Sequence, residues 1–134
     1  MKNSVHIIIQ ETDDDFRTQF EKELTADAGF VLVRSVKSFH SFKIKAHSLS
    51  ADVIILNWHY PTHELFDFIA KSKKNNPKTK VLVTFDFVQP DFVFKSLMCG
   101  ADGFLIKPFS VKEIQRASSQ LPNKKLQLHL DRLQ

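Results

Sequence analysis

The sequence has little glycine, almost no cysteine and no long apolar run. Cys99 is the single cysteine among 134 residues, which excludes an internal disulfide and leaves the fold dependent on an apolar core. No apolar run approaches the roughly 18 to 20 residues that a membrane-spanning helix needs. The N-terminal apolar run is too short for a secretion signal and turns acidic at once. We therefore expect a soluble cytoplasmic protein with one domain-sized core and no membrane contact.

The charge balance is mildly basic, with 19 Lys and Arg against 15 Asp and Glu. The densest basic run, residues 71–80, has no interleaved aromatic residues and contains two asparagines and a proline. Such a run is typical of a solvated loop, so we expect no direct nucleic-acid contact. Thirteen phenylalanines against three glycines is less usual. Some of these rings are candidates for a surface that binds a partner protein.

Five short runs rich in valine and isoleucine recur along the chain, and they predict five β-strands. The runs are residues 5–9, 31–36, 53–56, 81–85 and 103–106. The central runs are apolar throughout, as in a parallel sheet that is covered on both faces. Strands that alternate with helices, joined by right-handed crossovers, predict a doubly wound α/β fold.

The segments between these runs carry the start and stop signals of helices. Acidic residues open the first helix, and Phe16, Phe20 and Leu24 form its apolar stripe. The remaining signals are Ser38, Thr62, Pro90 and Ser110 with Glu113 at helix starts, and Gly100 at a helix end. We assign residues 1–120 to this domain and residues 121–134 to a C-terminal tail or linker, since Pro122 should end the last helix.

Polar residues follow four of the predicted strands at the point where each strand ends. They are Gln10, Glu11 and Thr12 after the first strand, Asn57 after the third, Thr84 in the fourth, and Lys107 with Pro108 after the fifth. In an open parallel sheet, ligands bind beyond the carboxyl ends of the strands. The sequence therefore predicts that any functional site lies among these residues.

This ordered set of residues resembles the receiver domain of two-component response regulators. The likeness extends from about residue 5 to 119 and is strongest in "DVIILNWHYP", "VLVT" and "GADGFLIKPF". It implies a flavodoxin-like five-stranded parallel sheet of order 2-1-3-4-5 with five helices on both faces. It also implies that Asn57 falls on the phosphoacceptor position and that Thr84 and Phe104 fall on the switch positions. Lys107 matches the family's lysine, and Pro108 matches a proline that follows a cis peptide bond.

The sequence departs from the receiver pattern at the residues that accept phosphate and bind metal. Asn57 offers an amide where the family has a nucleophilic aspartate, and only Glu11 is ionised in the acidic pair. The pair is either Gln10 with Glu11 or Glu11 with Thr12, according to the register. Without clustered carboxylates, Mg²⁺ binding is expected to be weak or absent, with no other cofactor. Lys107 is expected to contact either Glu11 or the Asn57 carbonyl instead.

These departures predict a pseudo-receiver that is not an enzyme and acts through protein contacts. The resemblance implies a contact face on the fourth helix, fifth strand and fifth helix, where a protein partner or a second copy would bind. Phe92 is the predicted exposed anchor, with Val93, Phe94, Leu97 and Met98 facing inward. One alternative is a phosphorylatable receiver, if another acid takes over or Asn57 is an engineered substitution. A second is a small-molecule site formed by Glu11, Asn57, Trp58, Thr84 and Lys107.

Overall fold

The computed structural model describes residues 4–46, 50–58 and 63–119, in which strands and helices alternate. The strands are β1 (Val5–Gln10), β2 (Phe30–Val36), β3 (Val53–Asn57), β4 (Lys80–Phe85) and β5 (Gly103–Ile106). The helices are α1 (Asp14–Thr25), α2 (Phe39–Ala46), α3 (His63–Asn75), α4 (Pro90–Met98) and α5 (Val111–Ser119). Each of the five predicted strands is confirmed, with ends that shift by one residue at most.

The strands form one parallel sheet in the order β2-β1-β3-β4-β5, so the predicted flavodoxin-like fold is confirmed. Side chains from α1 and α5 pack on one face of the sheet, with Phe20, Leu24 and Ile114 at the centre. Side chains from α2, α3 and α4 cover the other face. Both faces of the sheet are therefore buried, which explains why the central strands contain few polar residues.

The central strand β3 shows why the sequence folds this way. All five of its residues are buried, and alternate side chains enter opposite core clusters, with Ile54 and Leu56 on one side and Val53 and Ile55 on the other. Each such side chain contributes about 1.5–3 kcal/mol when it is fully buried. Asn57 is the last residue of this apolar strand, so its amide sits at the edge of the core.

Local capping contacts confirm several predicted helix boundaries. Asp13 caps α1, with its Oδ1 accepting a hydrogen bond from the Phe16 backbone N–H at 2.9 Å. Ser38 accepts from Ser41 ahead of α2, and Ser110 accepts from Glu113 at the start of α5. Pro90 lies in the first turn of α4, and Gly100 after α4 has a φ of 115°, a left-handed conformation that favours glycine. Thr62 lies outside the described residues.

The prediction for α4 is confirmed for Val93 and Leu97, which face the core, and is wrong for the other three large apolar residues of the helix. Phe92 is half-buried and packs on Trp58, with ring centroids 4.8 Å apart, whereas Phe94 and Met98 are exposed. The helix turns Val93 and Ser96 toward the sheet, so Phe94 and Met98 fall on the opposite side. In α3, Phe68 packs on the core and Ala70 is exposed.

No helix within the described ranges is long and apolar enough to cross a membrane. The predicted tail, residues 121–134, lies outside the described residues, and so does residue 120.

Candidate functional site

Four neighbouring strands bring the predicted polar residues to one edge of the sheet. In the observed order, β1, β3, β4 and β5 lie side by side and end at the same edge because they are parallel. Glu11, Thr12, Asn57, Thr84 and Lys107 come from these strand ends or directly after them. The predicted residues therefore meet, and they form two hydrogen-bonded groups, one neutral and one charged.

The neutral group is a row of three side chains centred on Asn57. The Thr12 hydroxyl donates to Asn57 Oδ1 at 2.8 Å, and Asn57 Nδ2 donates to Thr84 Oγ1 at 3.1 Å. The Thr84 carbonyl, which can only accept, lies 3.5 Å from the same nitrogen and fixes the orientation of the amide. Asn57 is 5% exposed and Thr84 is fully buried. Both ends of the buried amide are therefore satisfied by residues of the chain itself.

The second member of the acidic pair, beside Glu11, is predicted to be either Gln10 or Thr12, and these two residues contact different parts of Asn57. Gln10 Oε1 accepts from the Asn57 backbone N–H at 3.2 Å, and Gln10 Nε2 donates to the Lys37 carbonyl at 2.9 Å. Thr12 reaches the Asn57 side chain. Glu11 and Thr12 therefore face the functional groups at the sheet edge, while Gln10 connects the backbones of β3 and the segment after β2.

The charged group is centred on the Lys107 ammonium. Its nitrogen lies 2.7 Å from Glu11 Oε2 and 3.1 Å from Asp86 Oδ1, and 4.9 Å from the centroid of the Phe16 ring. The Glu11 carboxylate is 1% exposed and also accepts from the Asp13 backbone N–H at 2.9 Å. Of the two partners predicted for Lys107, the structure shows Glu11, and the Lys107–Pro108 peptide bond is cis as expected.

Sequence analysis missed Asp86. It directly follows β4, two residues after Thr84, and so stands at the same edge as the other site residues. That position is a usable signal in the sequence, because a charged residue directly after a parallel strand lies at the same edge as the other strand ends. Asp86 is 59% exposed, so its contact with Lys107 closes the solvent side of the group.

The pKa of Lys107 reflects opposing effects of its surroundings. Burial lowers the pKa of the ammonium group, because a charged group loses hydration in the protein. Hydrogen bonds to Glu11 and Asp86, together with their negative charges, raise it by more, so the pKa lies above the ordinary lysine value. Lys107 therefore stays positively charged throughout the neutral range.

The resemblance to receiver domains implies Mg²⁺, and the residues present here do not fit that ion. Glu11 and Asp86 direct oxygens at the Lys107 ammonium, and Asn57 Oδ1 is occupied by the Thr12 hydroxyl. The two acids and the lysine sum to a charge of about −1, and Mg²⁺ needs oxygen ligands that are free to approach to about 2.0–2.1 Å. Over the described ranges, no group of three or more His, Cys, Asp or Glu side chains could hold a metal ion.

The acidic residues at the start of α1 are engaged elsewhere. Asp13 caps the helix, and Asp14 forms ion pairs with Arg17 at 2.9 Å and Lys37 at 3.0 Å. Asp15 is exposed in the first turn, where the helix dipole favours a negative charge. These contacts account for the acidic run without a ligand.

Two aromatic residues flank the site. Phe104 of β5 is 9% exposed and meets Phe85 edge to face, with ring centroids 6.5 Å apart. Trp58, directly after Asn57, packs against Phe85 and Phe92 rather than standing free in solvent. Its indole nitrogen is buried and makes no hydrogen bond in the part of the chain that the structure describes.

The sheet order and the polar edge define a flavodoxin-like α/β domain with its site at the carboxyl ends of the strands. The chain belongs to the response regulator receiver domain family, whose sequence profile matches residues 7–119. Receiver domains are signalling domains of two-component systems, and they act through partner proteins.

Comparison with individual proteins agrees with this family. The chain is 30% identical over 73 residues to the response regulator protein VraR of Staphylococcus aureus, a match that covers 54% of this chain and 35% of VraR. The chain therefore spans about a third of that relative's length. The signal receiver domain of NarL from Mycobacterium tuberculosis is 23% identical, with a TM-score of 0.72 and coverage of 88% of this chain and 99% of that one.

A Burkholderia pseudomallei response regulator, solved with a phosphorylated aspartic acid, a calcium ion and citrate, has a similar fold. It is 17% identical with a TM-score of 0.76, covering 94% of this chain and 73% of that one. At these identities, the two solved structures support the fold alone.

Proposed function

We propose that this chain is a receiver domain that signals through protein contacts without aspartyl phosphorylation. The observation that carries the proposal is the buried Asn57 amide, which stands at the end of β3 and is hydrogen-bonded to Thr12 and Thr84. On this proposal Asn57 occupies the phosphoacceptor position, and Glu11 with Thr12 occupy the positions of the acidic pair.

The chemistry of Asn57 supports this proposal. Phosphoryl transfer to a receiver requires a carboxylate oxygen that attacks phosphorus, and an amide lacks such a nucleophile. The transfer also requires positive charge that neutralises the phosphoryl oxygens as charge develops. The donor set around Lys107 does not suit the metal that would supply this charge. The Burkholderia protein carries a phosphorylated aspartic acid and a calcium ion, and we propose that this chain uses neither.

The switch positions have partners that do not depend on phosphate. The Thr84 hydroxyl oxygen accepts a hydrogen bond from Asn57, so the two side chains are linked without phosphate. Phe104 is buried beside Phe85. A ligand shifts a conformational equilibrium only by its differential affinity for the two states. With no phosphoryl group to bind, we propose that Thr84 and Phe104 keep one arrangement.

The outward side of α4 supports a role in protein contacts. Phe94 is 37% exposed and Met98 is 83% exposed, one helical turn apart. Asp91 and Lys95 lie on the same side of the helix and are exposed. Neither makes an ion pair with any residue in the described part of the chain. We propose that this side of α4, continuing onto β5 and α5, binds a protein partner or a second copy of the chain.

Intact-protein mass spectrometry tests the absence of phosphotransfer. The purified wild-type protein is incubated with acetyl phosphate and Mg²⁺, and its mass is measured before and after treatment with hydroxylamine, which cleaves acyl phosphates. We expect an unchanged mass. A stoichiometric gain of one phosphoryl group that hydroxylamine removes would overturn the proposal. Its location on Asp86 or another acid would support a phosphorylatable receiver instead.

A further inference from the structure

We propose that the Lys107 ammonium, held between Glu11 and Asp86, is the resident cation of this site and excludes divalent metal from it. Once this ammonium is removed, the two carboxylates form a divalent-cation site. The inference rests on the proposed function only for the identity of the site. It concerns which cation the site holds, whether or not phosphate is ever transferred.

The geometry around Lys107 resembles that of an ion in a coordination site. Two carboxylate oxygens from different segments converge on one nitrogen, at 2.7 Å and 3.1 Å. A calcium ion at that position would need oxygens at about 2.3–2.6 Å, so each oxygen would move by less than about 1 Å. Mg²⁺ requires about 2.0–2.1 Å and a near-ideal octahedron. Ca²⁺ is therefore the better probe of the vacated position.

The ammonium has two advantages over a metal ion from solution. It is part of the chain, so its binding is intramolecular and needs no free ligand. Its side chain is only 11% exposed and lies against the Phe16 ring, so the surrounding structure already holds it in place. A divalent ion that approached Glu11 would also meet the positive charge of Lys107.

Removing the ammonium changes the charge of the group from about −1 to about −2. Glu11, at 1% exposure, would then keep a buried carboxylate without its counter-charge, which is costly. Asp86, at 59% exposure, would remain open to solvent and available to bridge to an incoming ion. A divalent cation would restore the lost neutralisation, so metal binding should recover stability that the substitution removes.

Thermal unfolding with and without Ca²⁺ tests this inference. Lys107→Met removes the charge and keeps a side chain of similar length. We expect Ca²⁺ to leave the wild-type unfolding midpoint unchanged. Without Ca²⁺, the midpoint of Lys107→Met should lie below that of the wild type. As Ca²⁺ is added, the midpoint of Lys107→Met should rise by several degrees and reach a plateau. Adding Asp86→Asn to Lys107→Met should abolish the rise. Lys107→Arg, which keeps a positive charge, should show no response.

Lys73→Met is the matched control. Lys73 is also partly buried and pairs with a carboxylate, that of Asp102 at 2.8 Å, but with one acid only and at the opposite edge of the sheet. Its replacement should lower stability without creating a response to Ca²⁺. This variant separates a general effect of losing a buried ion pair from the creation of a cation site.

Two results would overturn the inference. One is a saturable stabilisation of the wild-type protein by Ca²⁺. This measurement does not depend on whether any variant folds. The other is a folded Lys107→Met protein that does not respond to Ca²⁺. If Lys107→Met does not fold, Lys107→Gln, which keeps a hydrogen-bond donor for Glu11, takes its place. A phosphorylated wild-type protein would instead contradict the proposed function, and the Ca²⁺ results would stand apart from it.

Discussion

On the proposed function, replacing Asn57 by aspartate supplies the carboxylate that a receiver needs, yet we expect Asn57→Asp to destabilise the protein. In the wild type, the amide nitrogen donates to the Thr84 hydroxyl at 3.1 Å and faces the Thr84 carbonyl at 3.5 Å. A carboxylate has no hydrogen to donate. Its second oxygen would face the carbonyl oxygen in a position that is 5% exposed. The substitution therefore replaces an attractive contact with a repulsive one.

The size of the effect follows from these contacts. Losing the bond to Thr84 costs about 1 kcal/mol, and a buried acceptor left without a donor costs about 1–3 kcal/mol. The Thr12 hydroxyl, which donates to Asn57 Oδ1 at 2.8 Å, would then donate to an anion, a stronger bond that offsets part of the loss. The Thr84 hydroxyl can also rotate to donate. We expect a net loss of about 1–3 kcal/mol in the free energy of unfolding.

Urea unfolding of the wild type and Asn57→Asp measures this difference, with Asn76→Asp as the control. Asn76 is exposed after α3, so its replacement adds the same charge without the buried contacts. The difference in the free energy of unfolding between the wild type and Asn57→Asp should become smaller as pH falls from about 8 to about 5. Burial raises the pKa of an aspartate, and its protonated form regains a donor. An Asn57→Asp protein as stable as wild type at pH 8 would refute the assigned role of the amide.

The same variant should accept little or no phosphate from acetyl phosphate and Mg²⁺. The added charge still leaves the site without a full set of free carboxylates, because Lys107 engages Glu11 and Asp86. Adding Thr12→Asp should recover metal binding and phosphorylation even with Lys107 present. Thr12 is the residue whose side chain reaches Asn57, so the two new carboxylates lie together and add to those that Lys107 engages. Gln10→Asp is the matched control, and adding it to Asn57→Asp should not recover metal binding or phosphorylation. Stoichiometric phosphorylation of Asn57→Asp alone, measured by mass spectrometry, would contradict this reasoning.

Two further predictions concern Lys107 and α4. Because the folded-state pKa of Lys107 is raised, its ion pairs stabilise the protein below the ordinary lysine pKa of about 10.4, and this stability is lost as pH rises through the folded-state value. Urea unfolding between about pH 9 and about pH 11 should therefore show a larger loss for wild type than for Glu11→Gln. Met98→Asp and Phe94→Ala should weaken self-association in sedimentation velocity, whereas Val31→Ala, at an exposed apolar residue of β2, should not. A wild-type protein that remains monomeric at high micromolar concentration would exclude a second copy as the partner.

The fold was predictable because burial on both faces of a parallel sheet leaves a strong sequence signal. Val53 to Leu56 are apolar without interruption, as expected for a strand that is covered on both sides. The meeting of Glu11, Asn57 and Lys107 was predictable for a related reason. Parallel strands end at one edge, so residues distant in sequence become neighbours once the strand order is known.

The orientation of α4 was not predictable from its pattern. The helix has nine residues, and five of them are large and apolar, so several rotations about its axis bury a similar apolar area. The structure turns Ser96 inward, where its hydroxyl donates to the Val93 carbonyl at 2.8 Å, and turns Met98 outward. A pattern based on hydrophobicity assigns both of these residues to the wrong side. The packing of Phe92 against Trp58 depends on a residue outside the helix, which the pattern of α4 does not contain.

On the proposed function, the two hydrogen-bonded groups bear on how a signal could reach this domain. The neutral row joins the ends of β1, β3 and β4, and the Lys107 group joins β1, β4 and β5, so side chains of the chain connect all four strand ends. A phosphodonor or a divalent metal would have to displace these contacts before it could favour another arrangement. A partner that binds the exposed side of α4 has no such contact to displace. We therefore expect partner binding to be independent of phosphodonor and of Mg²⁺, and to respond to the concentration of the partner alone.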